Sequence, residues 1–282
     1  MNAEPQVLLP ELLEAQATGR IAEIYGEIRR FSGVPYVSSL QRYLATLPGA
    51  LEWAWAALRP AMVSGAIPET GWRLARDIRL PPAQPVTRAA VRQWGLDAAS
   101  LMAIRNIAAN FVRVSPVNLT MGACLRCVLT GPAPSGAGFA ADWTPPAPLP
   151  PMPGNVDPSA LPDADRAVLM RFATELDGAP FIPALYRQVA HWPRALAWLA
   201  DELGPRFAAP ETAAMRGAFQ TAARNEAPAI VARLPGLPPG EPPGTETTRR
   251  ILAAVDRYAG TSPEMTAFGQ LMLDALPTAE AM

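Results

Sequence analysis

The chain has no lysine, a single histidine and only two cysteines, and each scarcity closes off a class of chemistry. With His191 as the one imidazole and no Gly-x-Ser-x-Gly elbow, a nucleophilic Ser–His–Asp triad lacks its parts. Two thiols do not make a disulfide framework, and they leave a tetrahedral zinc site short of ligands. The cationic residues are all arginine, 24 against 25 acids, and they alternate with the acids rather than forming a basic stripe, so no nucleic-acid partner is expected. No apolar run approaches the roughly 18 residues that span a bilayer. The opening Met1-Asn-Ala-Glu-Pro-Gln has neither a basic n-region nor an apolar h-region. The expectation is a soluble cytoplasmic protein with no membrane partner. Missing lysine beside abundant alanine and proline reads as coding bias rather than chemistry.

What the chain does have is a stretch that occurs twice. Gly33-Val-Pro-Tyr-Val-Ser-Ser-Leu-Gln-Arg42 returns from Gly178 at a constant offset of 178 − 33 = 145. In that register Pro35 meets Pro180, Leu40 meets Leu185, Arg42 meets Arg187, Pro48 meets Pro193, Trp53 meets Trp198 and Pro60 meets Pro205. Later, Ser115-Pro116 returns as Ser262-Pro263 at 262 − 115 = 147, with Ile104 on Ile251, Phe111 on Tyr258 and Gly122 on Gly269. Gapless matches on Gly, Pro and Trp indicate a duplicated unit, with residues 1–130 as the first repeat and 163–282 as the second. Between them, 131–162 is rich in proline. Thr130–Pro162 contains ten prolines, a composition that favours extended chain wrapping over the body rather than packed helix.

Apolar residues recur at helical spacing over Glu11–Arg30, Gly49–Met62, Pro68–Leu80, Pro85–Trp94 and Asp97–Val112, the last with Asp97 as N-cap. Ser115-Pro116 has the form of a new helix start, Ser as cap and Pro at the first helical position. Ser262-Pro263 repeats it. The second half predicts helices over Asp163–Leu176, Ile182–Ala190, Pro193–Leu203, Pro210–Arg224 and Thr245–Tyr258, with a loop at Pro235–Gly244. No segment alternates strictly with period two, so the fold class is all-α.

The combination Ile24-Tyr-Gly-Glu-Ile28, Gly33-Val-Pro-Tyr-Val37 and Arg42-Tyr-Leu-Ala-Thr-Leu-Pro-Gly49, with Trp55, Ser115-Pro116 and Trp192-Pro193, resembles the group I 2-haloacid dehalogenases, also catalogued as halocarboxylic acid dehydrogenases. The resemblance implies an all-α pseudo-dimer of two repeats with a knotted backbone and the active site between the repeats, assembled as a homodimer. It implies hydrolysis of a short 2-halocarboxylate such as 2-chloropropionate by an Asp-activated water that attacks C2, without metal or organic cofactor. Carried onto this chain, the pocket positions fall on Tyr36, Ser39, Ser115, Asn118 and Ala184. The position of the catalytic Asp falls on Leu185. Leucine cannot accept a proton from water. The implied activity is therefore lost or altered unless Asp177 or Glu175 replaces the base, and a non-dehalogenating binder of a small carboxylate is the alternative.

Other residues invite chemistry. Arg42 and Arg187 hold equivalent positions, and a guanidinium is the usual bidentate partner of a carboxylate, so both are candidate pocket residues. Each equally suits an ion pair between the repeats. Cys124-Leu-Arg-Cys127 has the spacing of a thiol redox pair, but a helix opening at Ser115 would put both thiols mid-helix, away from the N-terminal position that lowers a thiol pKa. His191 in Ala-His-Trp-Pro suits a hydrogen bond at a helix end.

Overall fold

A left-handed glycine ends the first long helix and sets the course of the loop after it. In the computed structural model, which describes residues 9–140, 143–176 and 179–278 (backbone alone for 174–176 and 179–180), α1 (Gly19–Ser32) buries Ile24, Tyr25, Ile28 and Phe31 along one face. Gly33 then takes φ 64°, which L side chains avoid, and its N–H donates back to the carbonyls of Arg29 and Arg30. A Cβ there would also stand 2.9 Å from the Pro146 ring. Short helices follow: α2 (Ser39–Leu44), α3 (Ala50–Val63), α4 (Ala66–Arg76) and α5 (Arg88–Gln93). α6 (Ala98–Thr130) opens on Asp97, whose carboxylate accepts from the Ser100 N–H at 2.7 Å.

After the proline-rich connection come α7 (Asp163–Met170), a hairpin of β1 (Thr174–Leu176) and β2 (Ala179–Phe181), then α8 (Ala184–Val189), α9 (Pro193–Phe207), α10 (Pro210–Ala232) and α11 (Thr245–Ala275). The architecture is all-α, as the absence of alternation predicts. The three-residue antiparallel hairpin is a local departure that replaces the second half of the helix expected over Asp163–Leu176. Pro180 and Pro183 lack the N–H that would carry a helix onward into α8, whereas a short edge strand tolerates proline.

Two other expectations are corrected. Ser115-Pro116 does not open a helix; it lies inside the 33-residue α6, and Ser262-Pro263 lies inside the 31-residue α11. A mid-helix proline forfeits one backbone hydrogen bond and costs roughly 3 kcal/mol. Burial on both sides of the proline offsets it, since Val114, Ser115, Pro116, Val117 and Leu119 are all interior. α10 likewise continues through Pro228 to Ala232 instead of ending at Arg224.

α6 and α11 divide the interior between them. The C-terminal half of α6 packs with α1, α3, α4 and α10 in one cluster around Trp53, Trp55 and Leu58. Its N-terminal half joins α8 and α9 in a second, where Phe172 stacks on Tyr186 at 4.2 Å and Phe207 stands edge-on to both. α11 does the reverse, giving Ile251 and Val255 to the first cluster and Met265, Phe268 and Met272 to the second. The helices therefore cross antiparallel. Their closest approach is at glycines: a Cβ on Gly122 would meet Val255 at 3.3 Å, and one on Gly269 would meet Val112 at 2.9 Å.

The connection runs as extended chain over both clusters. Gly136 and Gly138 donate to the carbonyls of Leu234 and Arg233 beyond α10, and Trp143 Nε1 donates to Glu69 of α4. Leu149 N–H then reaches Gly33 O, and Val156 exchanges hydrogen bonds with Arg187 of α8. Among the described residues no helix is long and apolar enough to cross a membrane.

Candidate functional site

Where α6 and α11 cross, the starts of α2 and α8 and the strap residues Pro151–Asn155 enclose a cavity of about 320 Å³. Its α2 wall is held from behind. Glu14 accepts from the Val37 N–H at 2.8 Å and pairs with Arg29, fixing the loop that carries Tyr36. Leu12 N–H donates to Arg42 O, and Glu11 pairs with Arg42 Nη2 at 2.7 Å. The same Nη2 approaches Ser39 Oγ at 3.3 Å, while Arg42 Nε has no partner among the described residues. The guanidinium thus keeps donors to spare at the cavity wall.

Six of the residues expected at a pocket line this one: Tyr36, Ser39, Arg42, Ser115, Asn118 and Ala184. Asn118 is committed on both sides, accepting from Gln41 Nε2 at 2.9 Å and donating to Ser38 Oγ at 2.6 Å. Ser115 is 5% exposed. The Tyr36 hydroxyl is buried without a partner among the described residues, and burial pushes its pKa well up. The ring leans against Phe111, with centroids 6.1 Å apart.

Leu185 and Arg187 do not line the cavity. Leu185 is 0% exposed and packed in the second cluster, as its counterpart Leu40 is packed in the first. Arg187 turns to the strap, where Nε donates to Val156 O at 3.1 Å; burial holds its pKa below the ordinary arginine value. Asp177 lies outside the described residues, and Glu175 is described by its backbone alone, opposite Pro180 in the hairpin. Among the described lining residues there is no Asp or Glu, and Arg42 is the one charged side chain.

Several lining residues were not among the pocket candidates of the sequence: Phe181, Gln188, Tyr258, Thr261, Ser262 and Met265. The two registers were the signal that finds all of them but Gln188. At 145, Tyr36 pairs with Phe181 and Ser39 with Ala184; at 147, Phe111 pairs with Tyr258, Val114 with Thr261, Ser115 with Ser262 and Asn118 with Met265. Both members of every one of these pairs line the cavity. The Tyr258 hydroxyl bonds to Ser39, and burial, with Glu11 nearby, raises it to about 12.

The remaining candidates sit elsewhere. Cys124 is buried in the C-terminal half of α6 and Cys127 is half-buried one turn on. Burial raises both thiols, which lowers the thiolate fraction that redox chemistry needs. His191 is exposed, its Nε2 2.9 Å from Gly154 O of the strap. No group of three His, Cys, Asp or Glu capable of holding a metal occurs among the described residues.

No family model and no curated protein sequence matches the chain. Solved structures do. A D-2-haloacid dehalogenase mutant in complex with D-2-CPA aligns with TM-score 0.68 and 20% identity over 96% of this chain and 99% of its own. A D-2-haloacid dehalogenase with L-LA gives TM-score 0.70 and 19% identity over 96% and 100%. A D-2-halacid dehalogenase mutant gives TM-score 0.70 and 19% over 96% and 99%. The chain has a dehalogenase-like fold.

Proposed function

We propose that the cavity between α2, α6, α8 and α11 binds a 2-substituted carboxylate, and that dehalogenase-type hydrolysis is lost. The observation that carries this reading is the lining itself. One guanidinium, paired from behind with Glu11 and with donors to spare, sits beside the hydroxyls of Ser39, Ser115 and Tyr258, and no described lining residue is a carboxylate. Such a set attracts and orients an acid through charge-assisted hydrogen bonds but has nothing to take a proton from water. The shared fold supports it, since the D-2-haloacid dehalogenase of that fold holds D-2-CPA in one structure and L-LA in another.

The same reading takes the chain as two copies, 1–130 and 163–282, joined by 131–162 with the threading the family resemblance implies. It is supported by α2 and α8, which start at 39 and 184, and by α6 and α11, which start at 98 and 245; the offsets are the 145 and 147 of the sequence. A cytoplasmic location and assembly as a homodimer belong to the proposal as well, and sedimentation tests the dimer.

Two assays test the function. Titration calorimetry with D- and L-2-chloropropionate is expected to show binding. Halide-release assays with the same acids at high protein concentration are expected to show none above the uncatalysed rate. Steady halide release overturns the loss of hydrolysis, and absence of binding overturns the carboxylate reading.

A further inference from the structure

We infer that the ligand of this cavity is a carboxylate with an extended apolar body, an acid of about eight to ten carbons rather than three; this rests on the carboxylate reading above. The first argument is volume. At ~30 Å³ of liquid volume per water, a cavity of about 320 Å³ holds the equivalent of about ten waters. A 2-substituted propionate would leave more than half of it empty. The cavity is half open, so the part a short acid leaves unfilled keeps apolar wall in contact with water, and a longer apolar body removes that area from water.

The second argument is zoning. Because α6 and α11 run antiparallel, Asn118 on one stands level with Tyr258 on the other, and Phe111 stands level with Met265. The Asn118 level is the polar one, continued by Ser39 and Arg42 of α2. At the Phe111 level the lining belongs to the second apolar cluster: Phe111 and Met265 are members, and Met152 of the strap and Ala184 pack against it. The duplicated walls thus differ in kind. One end presents a cation and hydroxyls, and the other presents mainly hydrocarbon and aromatic surface, with the Gln188 amide one turn beyond Ala184 on α8. An acid whose carboxylate meets Arg42 places its tail among Phe111, Met265, Met152 and Ala184.

The test is a calorimetric series on the full-length protein with straight-chain acids from propionate to decanoate, with octanamide as the uncharged control and Arg42→Gln and Ala184→Leu as variants. Affinity is expected to rise about fourfold per added methylene, at the transfer free energy of a buried CH₂, until the tail fills the cavity. Ala184→Leu is expected to weaken octanoate by about tenfold or more and to leave propionate within about twofold. Equal affinity across the series, or an optimum at three carbons that still depends on Arg42, overturns the long-tail inference and spares the carboxylate reading. Octanamide binding as tightly as octanoate, or no acid binding at any length, overturns both.

Discussion

Arg42 and Arg187 occupy the same place in two matching stretches and do different work. Arg42, backed by Glu11, offers its guanidinium to the cavity; Arg187 spends its own on the carbonyl of Val156 and holds the strap that walls the same cavity. Tyr36 and Ser39 line one side with hydroxyls, and Phe181 and Ala184 line the other without them. On the proposed duplication, the first stretch gives the polar head-group wall and the second a mainly apolar one. At Leu40 and Leu185, both buried in packing, the two stretches carry the same residue.

The largest expected effect tests that last statement. Leu185→Asp puts a carboxyl at a fully buried position of the second apolar cluster. It forfeits at least the about 2–5 kcal/mol of a buried leucine truncation, before the cost of desolvating the acid. Urea unfolding is expected to show that loss, and halide assays no activity. A stable, hydrolysing variant would mean that the second copy of the stretch carries a site and not a packing position. Next in size is the arginine pair. Arg42→Gln is expected to weaken carboxylate binding about 10–100-fold, the value of a charged hydrogen bond. Arg187→Gln is expected to leave it within about twofold and to lower stability by about 1 kcal/mol through the strap. Equal effects on binding would erase the division of labour.

The lack of alternation made the helical class legible in the chain, the family resemblance named Tyr36, Ser39, Ser115, Asn118 and Ala184, and the repeat register added Arg42. Spacing did not reveal that Arg187 faces away. Which way a long side chain turns depends on what covers it, and here the cover is Val156, from a segment with no periodicity of its own. Ser115-Pro116 misled for a related reason. A serine–proline pair has the same local form at a helix start and inside a long helix, and only the tertiary packing around α6 selects the second.

A smaller effect separates Tyr36 from Phe181. The Tyr36 hydroxyl is buried without a partner among the described residues, and an unmet buried polar group costs about 1–3 kcal/mol. Tyr36→Phe makes the two walls alike. The free protein is expected to gain about 1 kcal/mol in urea unfolding, with octanoate affinity unchanged or lower. A loss of stability would show that the hydroxyl is satisfied in solution.

The smallest effect lies at the 147 register pair of Val117 and Glu264, both interior, one hydrocarbon and one acid. Burial raises the Glu264 carboxyl above the ordinary range, and Arg216, 3.1 Å away, draws it only part of the way back. A carboxyl whose folded pKa exceeds its unfolded value binds protons more tightly when folded. Its ionised form therefore penalises the fold fully above the folded pKa, and the penalty fades as pH falls toward the unfolded value. Glu264→Gln removes the titration but also the ion pair, which is partly exposed and worth on the order of 0.5 kcal/mol. The stability of the variant relative to the parent is expected to be most favourable near pH 7 and to decline toward pH 4 in parallel urea titrations. A relative stability that instead improves as the solution is acidified would mean that Arg216 outweighs burial and that the acid serves the second copy as a structural anion.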